Sequence, residues 1–270
     1  MTDRITSAIE DLRSAGGRHL DLSRLQLTYV PNAVRELTTL TTLNLDGNQL
    51  TSVPPWLGEL TALTWLSLRG NRLTSLPAAL GDLRHLTRLD LDANRLTDAP
   101  PELGRLTALR RLGLAGNRLT ALPDLGNLGR LRRLTVRHNL LGELPDTIGD
   151  LHSLVALDLR VNRLVSLPRT LGRLSALKEL DLSSNCLTAI PESLGDLIAL
   201  RRLNLGGNQL TSIPDTLANL GSLAELNMVG NPLTVAPAIL IPLIRAAPFG
   251  ETLSLHPRIG TGSGPWVNAD

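Results

Sequence analysis

The chain has 270 residues and a formal net charge of +2, so its overall charge does not favour a polyanion-binding protein. Aromatic residues make up only 2% of the sequence, and a core with so few rings has to be filled by aliphatic side chains, here leucine. Cys186 is the single cysteine, which excludes an intramolecular disulfide and a cysteine-based metal cluster.

The first segment, residues 1–16, is predicted to form a capping helix. Ile5, Ala8, Ile9 and Leu12 have the spacing of one apolar helical stripe, and Gly16 stops the helix. The polar start has no apolar region of the kind found in secretory signals, and we therefore expect a cytoplasmic location. The longest apolar run, 239–244, is too short to span a bilayer, so no membrane association is expected.

Residues 17–237 repeat one pattern ten times, and the stretch 40–54 shows it most clearly. Leu43 and Leu45 alternate with polar residues, which predicts a short strand with leucines inward. The first repeat has Leu25 where the other nine have asparagine. These asparagines recur every 23 residues, with one spacing of 22, and stand at Asn48, Asn71, Asn94, Asn117, Asn139, Asn162, Asn185, Asn208 and Asn231.

The asparagine column is interpreted as structural. A buried asparagine both donates to and accepts from backbone groups in the turn that follows each strand. The proline that ends each repeat suits the turn to the opposite face, because its φ is restricted and it has no N–H. Shortening between Asn117 and Asn139 falls after Pro123, where it trims the back of the stack and leaves the strand pattern unchanged.

The repeat resembles the leucine-rich repeat family, specifically the intracellular 23-residue type of Ras-binding scaffold proteins, plant intracellular Ras-group proteins and bacterial Roco proteins. Residues 8–31 are similar to the N-terminal part of bacterial members. The resemblance implies an α/β solenoid, a horseshoe with a parallel β-sheet on the concave face and short turns, 3-10 or helical segments on the convex face. After the repeats, 238–247 are predicted to form a second cap and 248–270 an irregular or disordered tail.

Outward positions of the strands are where a binding surface is expected. Exposed positions of the fourth to seventh repeats hold ten arginines against three aspartates, which predicts a basic centre on the concave side. The alternative is a solvated face with internal Arg–Asp pairs, and Trp65 could either be exposed or lie flat on its strand neighbours. The predicted partner-binding residues are Trp65, Arg69, Arg88, Asp90, Asp92, Arg111, Arg133, Arg137, Asp158, Arg160 and Glu179.

The resemblance implies a non-enzymatic protein–protein interaction module, and the basic centre favours a partner with an acidic patch. The alternatives are nucleic-acid or other polyanion binding through the arginine cluster, and a scaffold or regulator of a small GTPase acting in trans. The five histidines are scattered and no catalytic set converges, so no enzyme, cofactor or metal site is predicted. Nucleic-acid binding is the less favoured hypothesis, because the chain has few aromatic residues on which bases could stack. A monomer is expected.

Overall fold

The computed structural model describes residues 2–234, so the predicted second cap and tail lie outside the described residues. Ten parallel strands form one open sheet, and their order in the sheet follows their order in the chain. Each strand has three residues, because each repeat supplies a single L-x-L segment. The strands are β1 His19–Asp21, β2 Thr42–Asn44, β3 Trp65–Ser67, β4 Arg88–Asp90, β5 Arg111–Gly113, β6 Arg133–Thr135, β7 Ala156–Asp158, β8 Glu179–Asp181, β9 Arg202–Asn204 and β10 Glu225–Asn227.

The strand register stacks equivalent residues of successive repeats. Leu43 of β2 pairs with Leu66 of β3, and both are fully buried. The residues on either side of each central leucine point to the opposite face, which we call the concave face. This arrangement confirms the predicted solenoid with a parallel sheet, and the alternation places every outward side chain beside its counterpart from the next repeat.

Eight short 3-10 helices line the other side of the solenoid, and each begins after a proline. Close packing between them requires glycine at one position: a Cβ on Gly58 would lie 2.2 Å from the carbonyl oxygen of Ala79. The helices are η1 Asn32–Glu36, η2 Pro55–Glu59, η3 Ala78–Asp82, η4 Pro101–Arg105, η5 Asp146–Asp150, η6 Arg169–Arg173, η7 Glu192–Asp196 and η8 Asp215–Asn219.

The shortened repeat has no 3-10 helix between η4 and η5. The segment 124–130, which would hold it, has turns at 126–127 and 129–130 instead. On the strand side, β5 and β6 keep the same register as their neighbours, with Arg111 paired to Arg133. The loss of one residue is therefore absorbed entirely on the convex side.

Asparagines tie each repeat to the one before it. Asn71 illustrates the pattern: its Oδ1 accepts the N–H of Leu50 at 3.0 Å, and its Nδ2 donates to the carbonyls of Leu45 and Leu68 at 2.9 Å. Asn231, in the last described repeat, makes the same three types of bond. These bonds satisfy buried backbone groups. Loss of one asparagine would therefore leave buried polar atoms without hydrogen bonds, at a cost of about 1–3 kcal/mol for each unsatisfied group.

The N-terminal helix α1, Thr2–Ser14, packs against the first end of the leucine core. Ile9 is almost fully buried, and Leu12 is partly buried against the same cluster. Gly17 follows closely after the helix, and a Cβ there would lie 2.2 Å from Cδ1 of Leu12. We propose that α1 protects the leucines of the first repeat, which have no preceding repeat to cover them.

Candidate functional site

Outward residues of the concave face form columns that run across the strands. The first column precedes the central leucine of each strand, and from β3 to β9 it contains Trp65, Arg88, Arg111, Arg133, Ala156, Glu179 and Arg202. The second column follows the central leucine and includes Asp90, Gly113, Thr135, Asp158 and Asp181. A third column lies two residues further along the chain. All eleven predicted partner-binding residues belong to these columns.

Three arginines of the first column, which we call the arginine column, stand side by side on consecutive strands. Arg88, Arg111 and Arg133 are in register, so adjacent backbones are about 4.8 Å apart. Arg88 and Arg111 are exposed and Arg133 is half-buried. Within residues 2–234, none of the three has an acidic group within ion-pair distance. The column therefore presents three guanidinium groups that form no ion pair with the described residues, although Asp90 is near enough to Arg88 for their charges to interact.

Trp65 begins the arginine column on its N-terminal side. The guanidinium carbon of Arg88 lies 5.5 Å from the centroid of the indole ring, which is a cation–π contact. The ring is half-buried, and its Nε1 is inaccessible and has no hydrogen-bond acceptor among the described residues. The sequence left open whether Trp65 is exposed or lies flat on its strand neighbours. In the structure it is only half-exposed, because Arg88 covers part of the ring.

Arginines of the third column lie within ion-pair distance of nearby aspartates. Arg69 lies 3.7 Å from Asp92. Asp158 lies between two arginines, with Arg137 at 3.9 Å and Arg160 at 3.7 Å. We call Arg137, Asp158 and Arg160 the paired cluster. The sequence analysis left internal Arg–Asp pairing open as an alternative to a binding surface. Among the described residues, such pairing occurs in the third column but not in the arginine column.

Glu179 of the first column is also paired. It accepts a hydrogen bond from Arg202, which stands next to it on β9. The charged residues of the predicted partner-binding set therefore fall into two groups. Asp90 and the arginine column form no ion pair within the described part of the chain, and the residues that do are Arg69, Asp92, Arg137, Asp158, Arg160 and Glu179.

Burial raises the pKa of three aspartates on this face. Loss of water raises the pKa of Asp90 above its ordinary value, and the N–H of Asp92 opposes that shift. The pKa of Asp92 rises to about 6, through burial and the neighbouring charge of Asp90. The pKa of Asp158 rises to about 7, through burial and the charge of Asp181. Protonation of Asp92 and Asp158 near neutral pH would make the face more basic.

A depression opens beside the arginine column because Gly113 has no side chain. Its volume is ≈ 120 Å³ and its walls include Arg88, Arg111 and Arg133. A Cβ on Gly113 would lie 2.7 Å from Oδ1 of Asp92 and 3.2 Å from Oδ1 of Asp90. The depression thus has a rim of guanidinium groups and a floor that exposes carboxylate oxygens.

Sequence reasoning missed the contribution of Gly113 and of Asp181. Asp181 is only 3% exposed, and its Oδ1 accepts the N–H and the hydroxyl of Ser183 at 3.0 and 2.6 Å. A second, smaller depression of ≈ 70 Å³ lies over Ala156 and is lined by Asp158 and Asp181. The signal for the depression over Ala156 was a small residue in a column of mostly long side chains. The signal for the depression over Gly113 was a residue without a side chain in a column of short polar residues.

Side chains that commonly bind metal ions are dispersed in the described part of the chain. Residues 2–234 contain no group of three or more histidine, cysteine, aspartate or glutamate side chains placed to hold a metal ion. Cys186 is a half-buried free thiol. Among the described residues, no helix has both the length and the apolar character needed to cross a membrane.

Comparison with known families places most of the chain in one class. The family model described as a leucine-rich repeat region matches residues 17–120 and 114–235. No curated protein shows a significant match.

Solved structures with the same architecture come from bacteria and plants. A leucine-rich repeat protein of Leptospira interrogans is 36% identical, with a TM-score of 0.80, and the match covers 88% of this chain and 60% of that one. A TDR receptor is 31% identical, with a TM-score of 0.75, 84% coverage of this chain and 41% of that one. The plant peptide hormone receptor RGFR1, solved in complex with RGF2, is 32% identical, with a TM-score of 0.74 and coverages of 84% and 38%. The chain therefore spans between about two fifths and three fifths of the length of these proteins.

Proposed function

The chain belongs to the leucine-rich repeat family, and from that premise we propose that it is a non-enzymatic module that binds a protein partner on its concave face. Leucine-rich repeat folds generally serve as protein–protein interaction modules. One of the similar structures is a peptide hormone receptor in complex with RGF2, which supports the same class of function here. The repeats supply a rigid sheet, and outward side chains on that sheet supply specificity.

The observation that carries the proposal is the arginine column. Arg88, Arg111 and Arg133 are adjacent and have no acidic partner among the described residues, whereas Arg69, Arg137 and Arg160 do. Unpaired arginines next to an aromatic ring are frequent anchors at protein interfaces. We therefore propose a partner that presents an acidic patch to strands β3 to β6.

The proposed setting is a monomer in the cytoplasm. A single cysteine, Cys186, suits a reducing compartment and provides no disulfide-linked caps. The 23-residue repeat is the feature that supports an intracellular subtype of the family. Localisation in the native host tests the cytoplasmic setting, and the mass in solution tests the monomeric state.

The first test is affinity capture from the native host with the wild-type chain and the variant R111E/R133E. Reversing two charges of the arginine column should reduce the captured partner by at least about tenfold, because each introduced glutamate then repels the acidic patch. The amount captured is measured by quantitative mass spectrometry.

A matched control changes the same number of charges elsewhere. Arg84 and Arg130 are exposed and lie outside the three concave columns, so R84E/R130E should capture the partner as the wild type does. Equal capture by R111E/R133E and the wild type would remove the arginine column from the proposal. Capture of nucleic acid alone, with binding that weakens steeply as salt rises, would support polyanion binding instead.

A further inference from the structure

The depression over Gly113 combines opposite charges at close range. Its rim is the arginine column, and its floor exposes Oδ1 of Asp90 and of Asp92. Asp92 already accepts the N–H of Ala115 at 2.7 Å and lies near Arg69. Asp90 accepts the N–H of Asp92 through Oδ1 at 3.1 Å, and its Oδ2 has no hydrogen bond or ion pair with the described residues. A bound group here must satisfy cations at the rim and acceptors at the floor.

A compact dianion fits this arrangement poorly. A phosphate placed between Arg88, Arg111 and Arg133 would gain three cations but would face two carboxylates across the depression. Carboxylate oxygens accept hydrogen bonds and repel other anions. Single-stranded nucleic acid would in addition need aromatic platforms for its bases, and Trp65 is the one aromatic residue on the described strands.

An extended acidic peptide fits both halves of the depression. The arginine column spans two strand spacings, about 10 Å, and an extended chain advances about 3.3 Å per residue. Side chains that alternate along such a chain recur about every 6.6 Å on one face, so two carboxylates can be shared among the three guanidinium groups. The peptide backbone also carries N–H groups, which are unpaired when the chain has no neighbouring strand.

We infer that the depression over Gly113 is a subsite for an extended acidic peptide segment, whose carboxylates pair with the arginine column while its backbone N–H groups donate to Asp90 and Asp92. The inference rests on the proposed protein-binding function and specifies what part of the partner is recognised. Arg137 and Arg160 of the paired cluster are not needed for this contact, because they do not line the depression and both lie within ion-pair distance of Asp158.

The probe for the first test is a fluorescently labelled hexaglutamate peptide, with hexaglutamine as the uncharged control and titration followed by fluorescence anisotropy. Hexaglutamate should bind and hexaglutamine should not. The variant R111Q/R133Q should weaken hexaglutamate binding by about tenfold or more, whereas R137Q/R160Q, which removes the same charge from the paired cluster, should weaken it by less than about threefold. Equal losses in both variants would overturn the inference in favour of a diffuse basic surface.

The variant D90N separates hydrogen bonding from charge. It removes a negative charge from the floor, so a purely electrostatic surface would bind hexaglutamate more tightly. In the inferred complex the peptide N–H donates to Oδ2 of Asp90, because Oδ1 accepts the N–H of Asp92. The same change replaces Oδ2 by an amide N–H donor, and binding should weaken by about threefold to tenfold. Tighter binding by D90N would overturn the inference.

The variant G113A tests the depression itself. Its methyl group would occupy the space between Asp90 and Asp92, so binding should fall by at least about tenfold. Gly206, which follows β9 in the third column of the concave face, is a matched control. A Cβ there would be similarly crowded, at 2.9 Å from Nδ2 of Asn227. G206A should bind as the wild type does. Circular dichroism verifies that each variant is folded. If G113A does not fold, the binding of hexaglutamate to D90N still tests the inference.

The outcomes distinguish this inference from the proposed function. If host protein is captured in an arginine-dependent manner but hexaglutamate neither binds nor competes with it, the peptide subsite is wrong and the protein-binding function stands. If no host protein is captured, the proposed function fails. If a deoxythymidine hexamer binds as tightly as hexaglutamate and is lost in the same variants, the site recognises polyanions and the inference is overturned.

Discussion

Residues of one type differ in role across this surface because their neighbours differ. Arg133 and Arg137 are four residues apart and both lie on the concave side, yet only Arg137 is within ion-pair distance of Asp158. Asp158 in turn stands beside Asp181, and burial together with that charge raises the pKa of Asp158 to about 7. Its ionised form therefore costs free energy in the folded protein, despite the two arginines nearby.

The variant D158N should be more stable than the wild type at neutral pH. The folded pKa of Asp158 is about 7, and an unfolded aspartate has a pKa of about 3.9, so the folded state binds the proton more tightly. The contribution of this group to stability is greatest below about pH 4 and is lost as the pH rises to about 7. D158N should remove this loss and gain roughly 1–2 kcal/mol at pH 8, after allowance for solvent screening.

Urea unfolding of the wild type and D158N at pH 5 and pH 8 measures this effect. The difference between the two proteins should be larger at the higher pH. An exposed residue of the convex side, Asp82, provides the control, and D82N should show little difference at either pH. A lower stability of D158N at pH 8 would contradict the assignment of an unfavourable buried charge.

At the level of elements, the 22-residue repeat changes the contacts of one hydroxyl. Thr170, Ser193 and Thr216 occupy the second position of η6, η7 and η8, and each hydroxyl donates to the carbonyl of the first residue of the preceding 3-10 helix at 2.7 Å. Thr147 has the same position in η5, but no 3-10 helix precedes it in the fifth repeat. Its buried Oγ1 consequently has no partner among the described residues.

Replacing this threonine by valine should stabilise the protein. Valine has nearly the same shape, and T147V removes a buried hydroxyl that makes no hydrogen bond, with an expected gain of roughly 1 kcal/mol in the free energy of unfolding. The equivalent change T170V removes a hydroxyl that is bonded to Asp146 and should cost about 1 kcal/mol. Chemical denaturation measures both variants. Destabilisation by T147V equal to that by T170V would show that Thr147 has a partner in solution.

At the level of the whole molecule, the sheet is continuous but the convex packing is not. β5 and β6 pair in the same register as other neighbours, whereas the row of 3-10 helices is interrupted between η4 and η5. In a solenoid, each repeat is stabilised by its immediate neighbours. The interface after Pro123 therefore lacks the contact between neighbouring 3-10 helices, and it is the expected boundary between two cooperative units.

Native-state hydrogen exchange should locate this boundary. Backbone amides of residues 124–140 should exchange faster than those of the equivalent segment 147–163, because their repeat has no 3-10 helix on the convex side. Insertion of one alanine after Pro123 restores the 23-residue spacing and should slow the exchange. Uniform protection across the repeats, or no change on insertion, would contradict a boundary at this position.

The sequence by itself determined the solenoid. The strand, the asparagine turn and the proline each depend on residues at fixed distances within a repeat or in the next one, as in Leu43, Asn48 and Pro54. Such interactions recur in every copy, so the pattern alone predicts the parallel sheet on one side and short turns on the other. It also predicted which columns face outward, since a strand alternates its side chains.

Only the tertiary structure decided which outward residues have partners. The pairing of Asp158 with Arg137 and Arg160, the contact of Arg88 with Trp65, and the depression over Gly113 depend on side-chain directions and burial across neighbouring strands. These quantities differ from repeat to repeat although the spacing does not. The repeat fixes the backbone position of each outward residue. The charge and the size of the neighbouring residues determine the direction of its side chain and whether that side chain is available to a ligand.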